Sequence, residues 1–157
     1  MPTRESLKRL TTQGGPYVLS VLRIVLALLF VEYGSMKLFG FPPSAQTSHL
    51  DLISLGGLAA LMEFFGGLLL LAGLFTRTTA FLLSGEMGAA YFIAHAPRSF
   101  FPALNMGEAA VIYCFLFLYL AFAGPGPWSF DGALEDKTRR EPKFQMPSGD
   151  LGRAAPR

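Results

Sequence analysis

Residues 94–108 read Ala94-His95-Ala96-Pro97-Arg98-Ser99-Phe100-Phe101-Pro102-Ala103-Leu104-Asn105-Met106-Gly107-Glu108 and lie between two long apolar runs. Pro97 cannot continue a helix arriving from Phe81, because it has no N–H and its ring clashes with the preceding turn. Asn105 can cap the next helix by accepting a bond from a free N–H, and Glu108 stands three residues on, at the capping-box position. The stretch therefore reads as helix end, aromatic turn, helix start.

Working outward, the same alternation of apolar run and breaker recurs. A polar lead-in over 1–16 ends at Gly14-Gly15-Pro16, which reads as a stop before a first span over 17–39. Gly40-Phe41-Pro42-Pro43 closes that span, and a loop with His49 and Asp51 leads to a second over 52–75. The short turn Thr76-Arg77-Thr78 makes spans two and three antiparallel neighbours. The third runs over 79–96 and the fourth over 106–123, ended by Gly124-Pro125-Gly126-Pro127, with Trp128 placed as an interfacial anchor. Each span suits a hydrocarbon core of about 30 Å. The pattern predicts an all-α integral membrane protein, a four-helix up-down bundle over 17–130. The first span is too long for a signal peptide and no small-residue cleavage site follows it, so it reads as retained.

Composition agrees. The 157 residues are 52% hydrophobic and 15% charged. The net charge of +2 is too small, and too confined to the ends, to suggest nucleic acid. Arg4, Lys8, Arg9, Arg77 and the tail's Lys137, Arg139, Arg140, Lys143, Arg153 and Arg157 fall on one side of this topology. Only Lys37 and Arg98 fall on the other. Both termini are therefore expected in the cytoplasm, with His49, His95 and Arg98 on the far side. The charged tail, 131–157, carries three prolines and no apolar periodicity, and disorder or loose surface association is the expectation. A lone Cys114 gives neither a disulfide framework nor a redox pair.

Small residues provide packing faces: Ser84/Gly88, Gly85/Ala89, and the ridge Gly56, Ala60, Glu63, Gly67. Charge inside a membrane is costly and needs a partner. Each span carries one glutamate (Glu32, Glu63, Glu86, Glu108), and Arg23 and Lys37 are the cations. Matching depths at about 1.5 Å per residue pairs Arg23 with Glu86 and places Lys37 nearest Glu108 and His95. Glu63 is left near mid-depth without a cation, so it should be hydrogen-bonded or neutral. At about 100° per residue, Arg23, Phe30, Gly34 and Lys37 share one face of the first helix and Glu32 points nearly opposite. Glu32 then sits at a flank, contacts another subunit, or marks a bend. Glu63, Glu108, His95 and Lys37 form the candidate proton or ligand site. No catalytic residue and no metal site is assigned.

Gly34-Ser35-Met36-Lys37-Leu38, Glu63-Phe64-Phe65-Gly66-Gly67, Gly73-Leu74-Phe75-Thr76-Arg77, His95-Ala96-Pro97 through Gly107-Glu108, and Gly124-Pro125-Gly126-Pro127-Trp128-Ser129 together resemble the DoxX family. The resemblance covers 23–131. It implies a bacterial four-helix protein of the cytoplasmic (inner) membrane. The family is named for its likeness to the membrane subunit of a thiosulfate:quinone oxidoreductase, and other members sit in oxidative-stress assemblies or beside metal-handling peptides. Family membership therefore does not fix a reaction. Members often carry His where this chain has Tyr33, which argues against a two-histidine metal or haem site within the bundle.

Three functions follow from this reading. In the first, the chain is an auxiliary or anchoring subunit of a quinone-linked redox system, at most a non-autonomous part of an oxidoreductase. Tyr91, Phe92, Phe100 and Phe101 would line a quinone pocket, and a redox partner protein would bring the electrons. In the second it is a non-enzymatic scaffold or assembly factor that recruits partners, or further copies of itself, through the tail or the Glu32 face. In the third it is a small solute carrier, which the unbroken spans disfavour.

Overall fold

The structure, a computed structural model, describes residues 3–43 and 53–140 and contains no strand among them. His49, Asp51 and the tail beyond Arg140 lie outside the described residues. Helix α1 spans Arg4–Phe39, with Thr3 accepting from the Ser6 N–H at its start and Gly40 in the left-handed region (φ 68°) at its end. It runs straight through Gly14, Gly15 and Pro16, where the sequence pointed to a stop. Pro16 forfeits only its bond to the Thr12 carbonyl, and Thr12 is exposed, so solvent can serve that oxygen. At about 1.5 Å per residue, the helix is about 54 Å long and exceeds a hydrocarbon core of about 30 Å.

Helix α2 spans Leu55–Ala72, capped by Ser54, whose hydroxyl accepts from the Gly57 N–H at 3.1 Å. Helix α3 spans Thr76–Ala90 and widens into a π turn over Tyr91–His95. A single turn, α4 (Pro102–Asn105), precedes α5 (Glu108–Ala123). Gly107 occupies the cap position of α5 and Glu108 its first turn, so the expected Asn105/Glu108 capping box does not form. Asn105 still accepts the Gly107 N–H, at 2.7 Å.

The last helix, α6 (Phe130–Arg140), lies where disorder was expected from residue 131. Its first turn is pinned by polar bonds, from the Asp131 N–H to the Gly73 carbonyl at 3.0 Å, and from the N–H groups of Phe75 and Thr76 to the Asp131 carboxylate at 3.0 and 2.8 Å.

Helices α1, α2, α3 and α5 share one apolar core, built from Leu26, Ala27, Phe30, Leu70, Ala80, Leu83, Met87, Phe117 and Leu120. The α1–α2 interface brings two backbones closest, α3–α5 follows, and α1 meets α5 through aromatic rings, Phe30 against Phe117 and Tyr113 with centroids 4.5 and 5.0 Å apart. Backbone proximity explains the tight α1–α2 seam. A Cβ on Gly34 would lie 2.5–2.6 Å from the Phe64 backbone, and one on Gly67 2.9 Å from the Val31 nitrogen. On α3, the buried Ser84 donates to the Cys114 carbonyl at 2.8 Å, which seats α5 against the Ser84/Gly88 face.

Outward, the surface is greasy: Val18, Val25, Leu28, Leu58, Phe65, Phe81, Phe115 and Phe122 are all exposed. A continuous apolar exterior of this kind suits lipid rather than water. By length and composition α1 and α2 can each cross a membrane, while α5 is apolar but has 16 residues.

Candidate functional site

Polar groups gather in three places along the helices. At the Arg77 end, the α2–α3 turn meets the α5–α6 loop around Arg23, which is fully buried. Its guanidinium donates to the carbonyls of Pro125 (2.9 Å), Leu71 (3.1 Å), Leu70 and Trp128. Ser20, one turn earlier on α1, accepts the Trp128 N–H at 3.2 Å. Arg77 donates to the Ala121 and Phe122 carbonyls at the end of α5, at 3.1 and 2.6 Å. Carbonyls at helix C-termini carry partial negative charge, so two arginines are well matched to them. The expected Arg23–Glu86 pair is therefore absent. α3 begins at Thr76, placing Glu86 about 15 Å along that helix, whereas the Arg23 side chain leans toward its own N-terminus and so toward the helix ends.

The second centre lies in the interior. Lys37 Nζ is 2.5 Å from Glu63 Oε1, with the Glu63 side chain 5% exposed. This corrects the sequence reading in two ways: Glu63 has a cation, and Lys37 does not join Glu108 and His95. The two residues stand on antiparallel neighbours, and helical side chains tilt toward their own N-termini. Lys37 thus leans inward while Glu63 leans outward to meet it. Among the described residues the carboxyl without a partner is instead Glu86, whose two oxygens are buried with no hydrogen bond, as is Glu63 Oε2. Glu86 lies within electrostatic reach of Glu63 and Lys37. Beside it, Lys37, Glu86 and small or apolar residues of α2 and α3, among them Gly56, Met62, Gly85, Ala89 and Ile93, line a cavity of about 450 Å³. Gly85, Ala89 and Ile93 are exposed, so the cavity opens on the outer face of α2 and α3.

The third centre ties the aromatic turn. His95 Nδ1 is 3.1 Å from the Asn105 carbonyl. Asn105, 2% exposed, donates to the Ser99 carbonyl at 2.6 Å, and the Tyr91 hydroxyl holds the Phe100 carbonyl. Glu108 is exposed at the first turn of α5. Phe92, Phe100 and Phe101 are exposed too, whereas Tyr91 is buried.

Glu32 falls outside all three centres. It is exposed on α1, opposite the buried Arg23–Phe30–Gly34 face, as helical spacing predicted. Tyr33 is exposed beside it, and Tyr113 of α5 lies within its electrostatic reach.

Of the sequence-derived candidates, the structure brings Lys37 and Glu63 together with Glu86 and leaves His95 and Glu108 apart from them. Ser20, Arg77, Asp131 and Asn105 hold the ends in ways the sequence reading did not assign. For Ser20 a signal existed, since it stands three residues before Arg23 on the same helix face. Among the described residues, no three His, Cys, Asp or Glu side chains group closely enough to share a metal ion.

Residues 18–96 match the DoxX family model. An uncharacterised protein of Haemophilus influenzae is 43% identical over 122 residues, which cover 74% of this chain and 90% of that protein. The inner membrane protein YqjF of Escherichia coli K12 is 32% identical over 129 residues, 74% of this chain and 92% of that protein. No solved structure matches the chain.

Proposed function

The chain belongs to the DoxX family and is a membrane protein, and from that premise we propose that it is an auxiliary, anchoring subunit of a quinone-linked redox system in the bacterial cytoplasmic membrane. In this reading α1, α2, α3 with its π turn, and α5 cross the bilayer as an up-down four-helix bundle. The Arg77 end and both termini face the cytoplasm, because the basic residues gather there. Electrons travel between a partner protein and a membrane quinone.

One observation supports a subunit over a self-sufficient protein, and it is Glu32. The residue is exposed on α1 among the exposed apolar Val25, Leu28 and Leu29. It stands about 13 Å along the helix from Arg23 and about 10 Å from Phe39, well within the apolar span. A carboxyl facing lipid at that depth is costly, and such groups normally meet a partner. A neighbouring transmembrane helix bringing a donor to that level would remove the cost. Tyr33 of α1 and Tyr113 of α5, with ring centroids 6.5 Å apart, would border the junction.

The test is site-specific photocrosslinking in native membranes from Leu29, on the Glu32 side of α1, with Leu68 on α2 as reference. The expected result is one defined protein adduct from position 29, carrying a redox centre and lost in Glu32→Leu. Lipid adducts alone at both positions would overturn the reading. A defined partner without any redox centre would replace it with a scaffold.

A further inference from the structure

We propose that the cavity between α2 and α3 binds a small amphipathic amine, a monocation with an apolar body, drawn from the lipid side in exchange for a proton on Glu86. This is independent of whether the chain anchors a redox partner.

Four buried side-chain polar atoms lack a hydrogen-bond partner among the described residues, and three belong to this one centre: Glu63 Oε2 and both oxygens of Glu86. All three are carboxyl oxygens. The nearby cation, Lys37, already donates to Glu63. Buried polar groups are normally paired, so oxygens that no donor among the described residues reaches are suited to a ligand that brings one.

One ammonium faces two carboxyls, and the Lys37–Glu63 contact uses it. The charged groups facing Glu86 are Glu63 on α2 and Lys37 on α1. Helix α5 packs on the opposite side of α3, through Ser84, Gly88 and Cys114. An anionic ligand would therefore find no free cation, whereas a protonated amine would find a free carboxyl. The exchange balances: the Glu86 carboxylic acid gives up its proton, and the resulting carboxylate pairs with the ligand's ammonium, with no electron transferred.

A cavity of about 450 Å³ lies in the range of small-molecule pockets, roughly 300–1,000 Å³. Apart from Lys37 and Glu86 its wall is apolar or glycine, and Gly85 faces open space.

The probe is 1-naphthylmethylamine, with neutral 1-naphthylmethanol and anionic 1-naphthoate as matched controls. Each is titrated calorimetrically into the full chain in zwitterionic-lipid nanodiscs, with empty discs as reference and two buffers of different ionisation enthalpy. Wild type should bind the amine at least roughly ten-fold more tightly than either control, the order expected of a charge-assisted hydrogen bond, with about one proton released. Glu86→Gln should lose that preference and the proton release. Gly85→Leu, which fills the opening while leaving Glu86 in place, should lose all three ligands; it carries the test alone if Glu86→Gln does not fold. Equal binding of amine and alcohol, tighter binding of the naphthoate, or unaltered amine selectivity in either variant would overturn the proposal.

Discussion

Replacing Arg23 with methionine removes the group on which the Arg77 end converges. The guanidinium is fully buried and donates to four carbonyls. Leu70 O keeps a second donor, the Gly73 N–H at 3.0 Å, so the loss falls on the carbonyls of Leu71, Pro125 and Trp128. Hydrogen bonds to charged groups contribute about 1.5–3 kcal/mol each, so three give roughly 4.5–9 kcal/mol. Relief of the guanidinium's own desolvation, several kcal/mol, offsets much of this, leaving about 2–4 kcal/mol. For a chain of this size that is roughly 5–15 °C in Tm. Trp128 is the sole tryptophan in the sequence and packs 5.7 Å from the Tyr17 ring. Thermal unfolding in detergent followed by tryptophan emission thus reads the affected loop directly. Arg23→Met should melt early and shift the emission to the red before global unfolding, with Arg23→Lys between it and wild type. A Tm within about 1 °C of wild type and unchanged emission would refute the assignment of Arg23 as the clamp of this end.

Gly34→Ala should destabilise the protein by about 1–3 kcal/mol by forcing α1 from α2, while Gly85→Ala, which meets nothing within 4 Å, should stabilise it by up to about 1 kcal/mol through helix propensity; thermal melts side by side decide. Lys37→Met leaves a buried carboxylate alone and should cost about 3–5 kcal/mol, whereas Lys37→Met with Glu63→Leu should recover most of that loss. If the double variant is the less stable, the pair contributes more than mutual neutralisation. Asp131→Ala removes the acceptor for two N–H groups at the start of α3 and should cost about 0.5–2 kcal/mol. It should also speed amide exchange at Phe75 and Thr76, and unaltered exchange there would remove the capping role.

Much of the architecture was legible because helical periodicity is a strong signal. The face Arg23–Phe30–Gly34 is buried and Glu32 exposed, as spacing alone required. The four apolar runs became helices, with ends displaced by up to thirteen residues at Pro16. Pairing was less legible, because depth matching placed each charge level with its Cα. A lysine or arginine head travels about 6 Å from its backbone, toward its helix N-terminus. That displacement brings Lys37 to Glu63 and carries Arg23 to the helix ends. The empty carboxyl was assigned to Glu63, beside Gly66 and Gly67, although Glu86 stands equally beside small residues, Gly85 and Ala89. Helix α6 was missed because the bonds that hold it join residues more than fifty positions apart, and a local pattern does not register them.

The central claim, that the chain is one subunit of a redox assembly, is tested most directly by the mass of the intact particle drawn from native membranes in mild detergent. The account predicts this chain in fixed ratio with a redox partner protein, with quinone retained. A particle of this chain alone, carrying only structural lipid, would contradict it.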